Sequence, residues 1–303
     1  MQTIKSQLRA LAVAILATDS KKEKQTIAKK AKGILEGVTL PSNASQVLLK
    51  RTFGLSYYAS VNSSAKIVKG AKSKVDTLIL YLAASDNAGV EVCAYANVCK
   101  LLCLVSSGRA LMEKGRDFSK QRIAIARIVK TWIQVFRPDI GNAWLQLEIN
   151  SKSKAAKKAG RKFAVRLNGT SDLDFSDIIR ANPGTAFYDY TKRPLSEIER
   201  FANYHLTVSF ASLQQWRVEN YRTALSEGLN ISVAVDAESF NEALALPYAF
   251  DADRDDLRHL DPEKGQLALL KVKRVASTFK DKKGQFVLGL EGVRNLASIL
   301  GLN

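Results

Sequence analysis

From Phe163 onward, short strand-forming runs alternate with helical ones, and no other feature of the chain restricts its fold so strongly. The runs are FAVRLN (163–168), AFYDYTK (186–192), YHLTVSF (204–210), NISVAVD (230–236) and LALLKVK (267–273). Helical patterns separate them at Phe175–Arg180, Leu195–Phe201, Leu213–Glu227 and Ser239–Leu246. Strands and helices alternating at this interval predict βα units around a parallel sheet. TLILYL (Thr77–Leu82) supplies a strand ahead of them, followed by helical patterns at Ser119–Phe136 and Asn142–Arg161. The six strands suit an α/β fold of the incomplete (βα)6-barrel type, spanning 76–283, and a flavodoxin-like open sheet is the rival. Pro247–Lys264 reads as an acidic loop that interrupts the last unit, and 284–303 as a closing helix.

Chemistry in such folds gathers at the carboxyl ends of strands, and those ends are polar here. Arg166, Asn168, Thr170, Ser171 and Asp172 follow one another along and beyond the second strand, and Asp189, Tyr190 and Lys192 lie at the end of the third. His205, Thr207 and Ser209 lie in the fourth, and Asp236 ends the fifth. Inward-pointing Arg166, Asn168, Tyr190 and Lys192 would share one cleft. Ser171 or Asp172 would serve equally well to cap the next helix.

All three cysteines, Cys93, Cys99 and Cys103, lie in Val92–Arg109, VCAYANVCKLLCLVSSGR, which would open on the same mouth. An odd number of thiols argues against a disulfide framework and for a reducing, cytosolic setting. Clustered soft thiolates select zinc, copper(I) or iron–sulfur, and three ligands leave a fourth metal position open. The plainer reading is a helix over Ala94–Val105 with Cys99 and Cys103 one turn apart on a buried apolar face.

A net charge of +17 favours a polyanionic partner, most often nucleic acid. The excess is densest in residues 1–75, a basic helical appendage whose Lys21, Lys22, Lys24, Lys29, Lys30, Lys32, Lys66, Lys69, Lys72 and Lys74 are the expected phosphate contacts. No apolar run approaches the ~20 residues of a membrane span. Gly-rich phosphate loops, GxSxG and HExxH are all absent, and the two histidines, His205 and His259, are far apart in sequence.

CAYANVCKLLCLVSSGR, FAVRLNGTSDLDF, FYDYTKRP, NYHLTVSFA and DLRHLDP, in that order between about Leu78 and Arg274, resemble the phage gene product 88 domain family. The pattern is also similar to three-cysteine phage proteins whose folds resemble radical S-adenosylmethionine (SAM) barrels. That second resemblance implies a [4Fe–4S] cluster on Cys93, Cys99 and Cys103, with one iron open to S-adenosylmethionine. It further implies cofactor contacts from Thr170, Asp189, His205, Ser209 and Asp236, and a catalytic cleft of Arg166, Asn168, Asp172, Tyr190 and Lys192. Two departures from the radical SAM pattern stand out. The cysteines are spaced Cys-x5-Cys-x3-Cys rather than CxxxCxxC, and NGTSD (168–172) stands where a glycine-rich GGE element is expected. The expectation is a cytoplasmic, radical-SAM-like enzyme acting on nucleic acid or a nucleotide. Its alternatives are a non-catalytic nucleic-acid-binding protein with buried cysteines, or a replication-associated protein using Tyr188 or Tyr190 as a nucleophile.

Overall fold

The computed structural model describes residues 3–61, 74–100, 103, 121–261, 264–272 and 286–302. Of the expected phosphate contacts, Lys66, Lys69 and Lys72 lie outside them.

Three N-terminal helices come first: α1 (Ile4–Leu16), α2 (Lys21–Glu36) and α3 (Gln46–Phe53). Each is started by a hydroxyl side chain, Thr3, Ser20 or Ser45, which accepts a first-turn amide proton. β1 (Ser60–Val61) and β2 (Val75–Ile79) follow, then the long helices α4 (Arg122–Phe136) and α5 (Pro138–Lys158). The alternating part runs β3 (Lys162–Arg166), α6 (Ser176–Arg180), β4 (Ala186–Thr191), β5 (Tyr204–Ser209), α7 (Gln215–Ser226), β6 (Asn230–Val235) and α8 (Phe240–Leu244). It closes with β7 (Ala249–Asp251), β8 (Leu267–Lys271), β9 (Val287–Leu288) and α9 (Leu290–Leu300). Leu195–Phe201 is not the expected helix: only Leu195–Glu197 form a 3₁₀ turn, and Ile198 is already extended.

The expected parallel pairing is present. β2, β3, β4, β5, β6 and β8 lie side by side, all parallel, with FAVRLN beside AFYDYTK. β1 adds an antiparallel edge beside β2, and β7 a parallel edge beside β8. The sheet is therefore open, with β1 and β7 at its ends, and no pairing among the described residues closes it into a barrel. Strands laid down in sequence order with right-handed crossovers send their helices to one face. Accordingly, Leu78, Val165 and Phe187 pack under α4, α5 and α6. Further along, Leu206, Val208, Ile231, Val233 and Leu269 pack under α7, α8 and α9.

The basic helices α1–α3 join the first of these clusters through Leu8, Ala12, Leu35, Leu49 and Phe53. Tyr58 stacks on Trp144 at 5.2 Å, and the buried Glu148 accepts the amides of Tyr58 and Ala59. Arg137 donates to the carbonyls of Leu35 and Val38 at the end of α2, which ties the basic helix to the α4–α5 corner. β9 pairs with Ala234–Val235, on the same edge of β6 that β5 occupies lower down at 230–232. The sheet thus splits at the carboxyl ends of β5 and β6, and β9 fills the split.

Candidate active site at the strand ends

The segment leaving β2 crosses the carboxyl ends of the next strands. Its path depends on two left-handed residues, Ser85 at φ 54° and Gly89 at φ 75°. A side chain at Gly89 would stand 2.2 Å from the carbonyl oxygen of Lys24, so α2 rests directly on this loop. Trp132 Nε1 donates to Ala88 O, and Val92 N to Ser85 O. Among the described residues between Cys93 and Lys100 the chain does not form the helix of the plainer reading. Cys93–Ala96 are a turn, Asn97 takes a left-handed φ of 49°, and only Asn97–Lys100 make a single 3₁₀ turn. Tyr95 OH donates to Glu197, Arg217 at the start of α7 donates to Tyr95 O, and Lys100 pairs with Glu91. The cysteine loop is thereby pinned to the β4–β5 connection and to α7.

Cys93 points into the strand ends, with Sγ 3.8 Å from Thr170 O. Burial pushes its thiol up to about 12; Asp172 and Cys103 act in the same direction, while Lys192 draws it down. Cys93 and Cys103 therefore lie within electrostatic reach of each other. All three thiols are half-buried. Among the described residues no group of three or more His, Cys, Asp or Glu side chains converges as metal ligands would.

Asp172 is the hub beside Cys93. It accepts from Thr191 Oγ1 and Lys192 N at 2.9 and 2.8 Å, while its own amide donates to Val92 O. Burial raises its carboxyl, against the amide of Lys192 and the lysine's charge. Asn168 holds the turn that presents Asp172. Its side-chain oxygen accepts from Ser171 and Leu173, and its amide nitrogen donates to Leu173 O. Thr170 Oγ1 donates to Leu82 O. Gly169 is required at this turn, because a Cβ would lie 2.7 Å from Ile79 Cγ2 and Leu80 O.

Other expected site residues lie elsewhere. Asp189 is on the helix-covered face, fully buried, and accepts from Asn168 N and Tyr204 OH; burial pushes its carboxyl up to about 7. Asp236 accepts from Ser239 N and starts the α8 turn, and Ser209 accepts from Ser232 Oγ. Arg166, Tyr190 and His205 are on the open face of the sheet, below the mouth. Arg166 lies over the Tyr190 ring at 4.9 Å and pairs with Asp256, while Tyr188 stacks on His259 at 4.9 Å.

That second layer is not foreseen from the sequence. Asp256–Asp261, within the run DLRHLDP, fold back across β4 and β5 and cover the open face. Arg258 pairs there with Asp255 and Asp261. The side-chain atoms Tyr190 OH, Arg166 Nε, Arg258 Nε and Nη1, and His259 Nδ1 are buried without hydrogen-bond partners. The adjacent Arg258 and His259 inside this acid-rich loop are the signal that could have revealed it. Lys21, Lys22, Lys29, Lys30 and Lys32 are exposed along α2 and Lys24 is half-buried, with Lys21 near Asp86 and Lys32 near Glu36.

The fold and site define an open, parallel α/β protein with a polar, cysteine-bearing mouth at its strand ends. The chain belongs to the Gene product 88 family, whose model matches residues 48–285. No curated protein and no solved structure matches it. Among the described residues no helix is long and apolar enough to cross a membrane.

Proposed function

We propose that the chain is a radical-SAM-like iron–sulfur enzyme that acts on nucleic acid or a nucleotide, with its chemistry at the carboxyl ends of β2–β5. One observation carries this reading: the three-cysteine loop leaves the first parallel strand and delivers Cys93 against Thr170 at the end of β3. The sequential winding of the sheet is compatible with an incomplete (βα)6 barrel, although the sheet is open. The donor set fits a [4Fe–4S] cluster in its chemistry, since three soft thiols occur in one loop, but among the described residues they do not converge as cluster ligands, so binding would have to draw them together. Cys93, Cys99 and Cys103 would hold it, and binding would have to displace the Cys93 proton that burial retains. With S-adenosylmethionine, such a cluster supplies the electron that initiates radical chemistry.

The protein's own contribution is positional. Asp172 and Lys192 set the charge beside Cys93, the Asn168 turn fixes Asp172, and the Tyr95–Glu197 and Arg217 contacts hold the loop over the mouth. The exposed lysines of α2 would hold phosphate.

Anaerobic purification, followed by iron and sulfide analysis and a visible spectrum, tests the reading. Stoichiometric iron and sulfide, lost in Cys93→Ser, are expected; a colourless, iron-free protein overturns it. The second reading, a nucleic-acid-binding protein with buried cysteines and no cluster, is the one that an iron-free protein would leave standing.

A further inference from the structure

A pocket of about 240 Å³ is bounded by α1, the α3–β1 connection and α4. Four cationic side chains line it, Lys5 and Arg9 from α1 and Arg122 and Lys130 from α4, and no carboxylate is among its described lining residues. Two large apolar side chains at its rim are exposed, Tyr57 at 48% and Ile123 at 52%. Lys130 is 4% exposed and holds Nζ 4.4 Å from the centre of the Tyr57 ring. A buried lysine in a pocket whose charged lining residues are all cationic, beside an exposed aromatic ring, has the chemistry of a phosphate site with an apolar surface for a base or sugar. The volume is below that of a usual drug-sized pocket, ~300 Å³ or more, which suits a phosphate and sugar better than a whole nucleotide.

We propose that this pocket binds a nucleoside 5′-phosphate group, either a free nucleotide or the 5′ end of a strand. The proposal rests on the nucleic-acid or nucleotide half of the proposed function and is independent of the cluster.

The surroundings of Lys130 give the site a signature. Burial brings its amine down to about 7; Glu148 from α5 opposes the shift and Arg127 adds to it. Lys5, Arg9, Arg122 and Tyr57 share its pocket, and Tyr58 OH donates to its carbonyl. A bound phosphate favours the protonated amine, so binding takes up a proton near neutrality and weakens as the pH rises above 7.

The test is calorimetric titration of the full chain with inorganic phosphate, a nucleoside 5′-monophosphate, and matched 5′-phosphorylated and 5′-hydroxyl oligonucleotides. The comparison proteins are Lys5→Gln/Arg122→Gln and Lys130→Met, with circular dichroism confirming that each is folded. A tight 5′-monophosphate with indifferent oligonucleotides supports a free nucleotide. A 5′-phosphorylated strand at least about tenfold tighter than its hydroxyl twin supports a strand end. In either case the double variant should lose that preference, and Lys130→Met the pH dependence between 6 and 8. Inorganic phosphate binding as tightly as the nucleotide, or a double variant that binds as well as the parent, overturns the proposal. An iron-free protein that still shows the 5′-phosphate preference separates this site from the cluster.

Discussion

Replacing Asp256 with Asn should destabilise the protein by about 3 kcal/mol, because it strands Arg166 in the layer beneath the mouth. The size follows from burial. The paired side chains are only 14% and 10% exposed, which removes them from the class of surface pairs worth ~0–1 kcal/mol. Arginine cannot shed its proton, so the loss is not relieved by neutralisation. The Tyr190 ring, 4.9 Å from the guanidinium, remains and recovers a part of it, about 0.5–2 kcal/mol. At ~2.1 cal/mol/K per residue for this length, a loss of about 3 kcal/mol lowers Tm by about 5 °C. Arg166→Met should cost a similar amount by leaving Asp256 without its partner. The double variant Arg166→Met/Asp256→Asn should cost scarcely more than either single change, since no unpaired charge remains. Urea denaturation of the four proteins measures the cycle. Single losses below ~1 kcal/mol, or a double variant equal to their sum, would refute the claim that Asp256 clamps the DLRHLDP segment to the sheet through a desolvated pair.

Three further outcomes are expected. Gly89→Ala should lower stability by at least about 2 kcal/mol in chemical denaturation, because its left-handed φ and the 2.2 Å approach to Lys24 O act together; an unchanged midpoint would mean that α2 does not rest on the loop. Asp189 has its folded value raised from 3.8 to about 7, so the folded state holds that proton more tightly and its stabilising effect is lost as pH rises between those values. The stability of Asp189→Asn relative to the parent should therefore climb over that window and level off above it, and a flat difference from pH 4.5 to 8 would sink the assignment. Changing Lys21, Lys22, Lys29 and Lys32 to Gln should flatten the salt dependence of nucleic-acid binding, by up to about 0.9 in log–log slope for each duplex phosphate that is no longer neutralised. An identical slope in filter binding would exclude α2 as the phosphate-binding element.

Much of the fold is legible in the chain. Period-two apolar runs and the helical stretches between them mark most of the strands from β2 to β8 and the helices from α4 to α9, because local periodicity and tertiary burial demand the same residues there. Leu195–Phe201 reads as a helix because its apolar spacing allows one. The structure instead uses Ile198 in an extended conformation on the way to β5, which local pattern cannot foresee. β7 and β9 escape detection for a related reason: at three and two residues they have no period to read, and pairing with a longer neighbour makes them strands.

For the site, the chain alone supplies the inventory: three thiols in one loop, polar groups at successive strand ends, and lysines along α2. Which of these meet depends on the folded sheet. Alternation puts Arg166 and Tyr190 on the open face and Asp189 on the helix-covered one, although Asp189 and Tyr190 are neighbours in the chain. Contacts between segments distant in the chain, Asp172 with Val92, Arg217 with Tyr95 and Asp256 with Arg166, then set the mouth and the layer beneath it. Such contacts leave no local pattern because their partners are 80 to 122 residues apart, and only the assembled sheet brings them together.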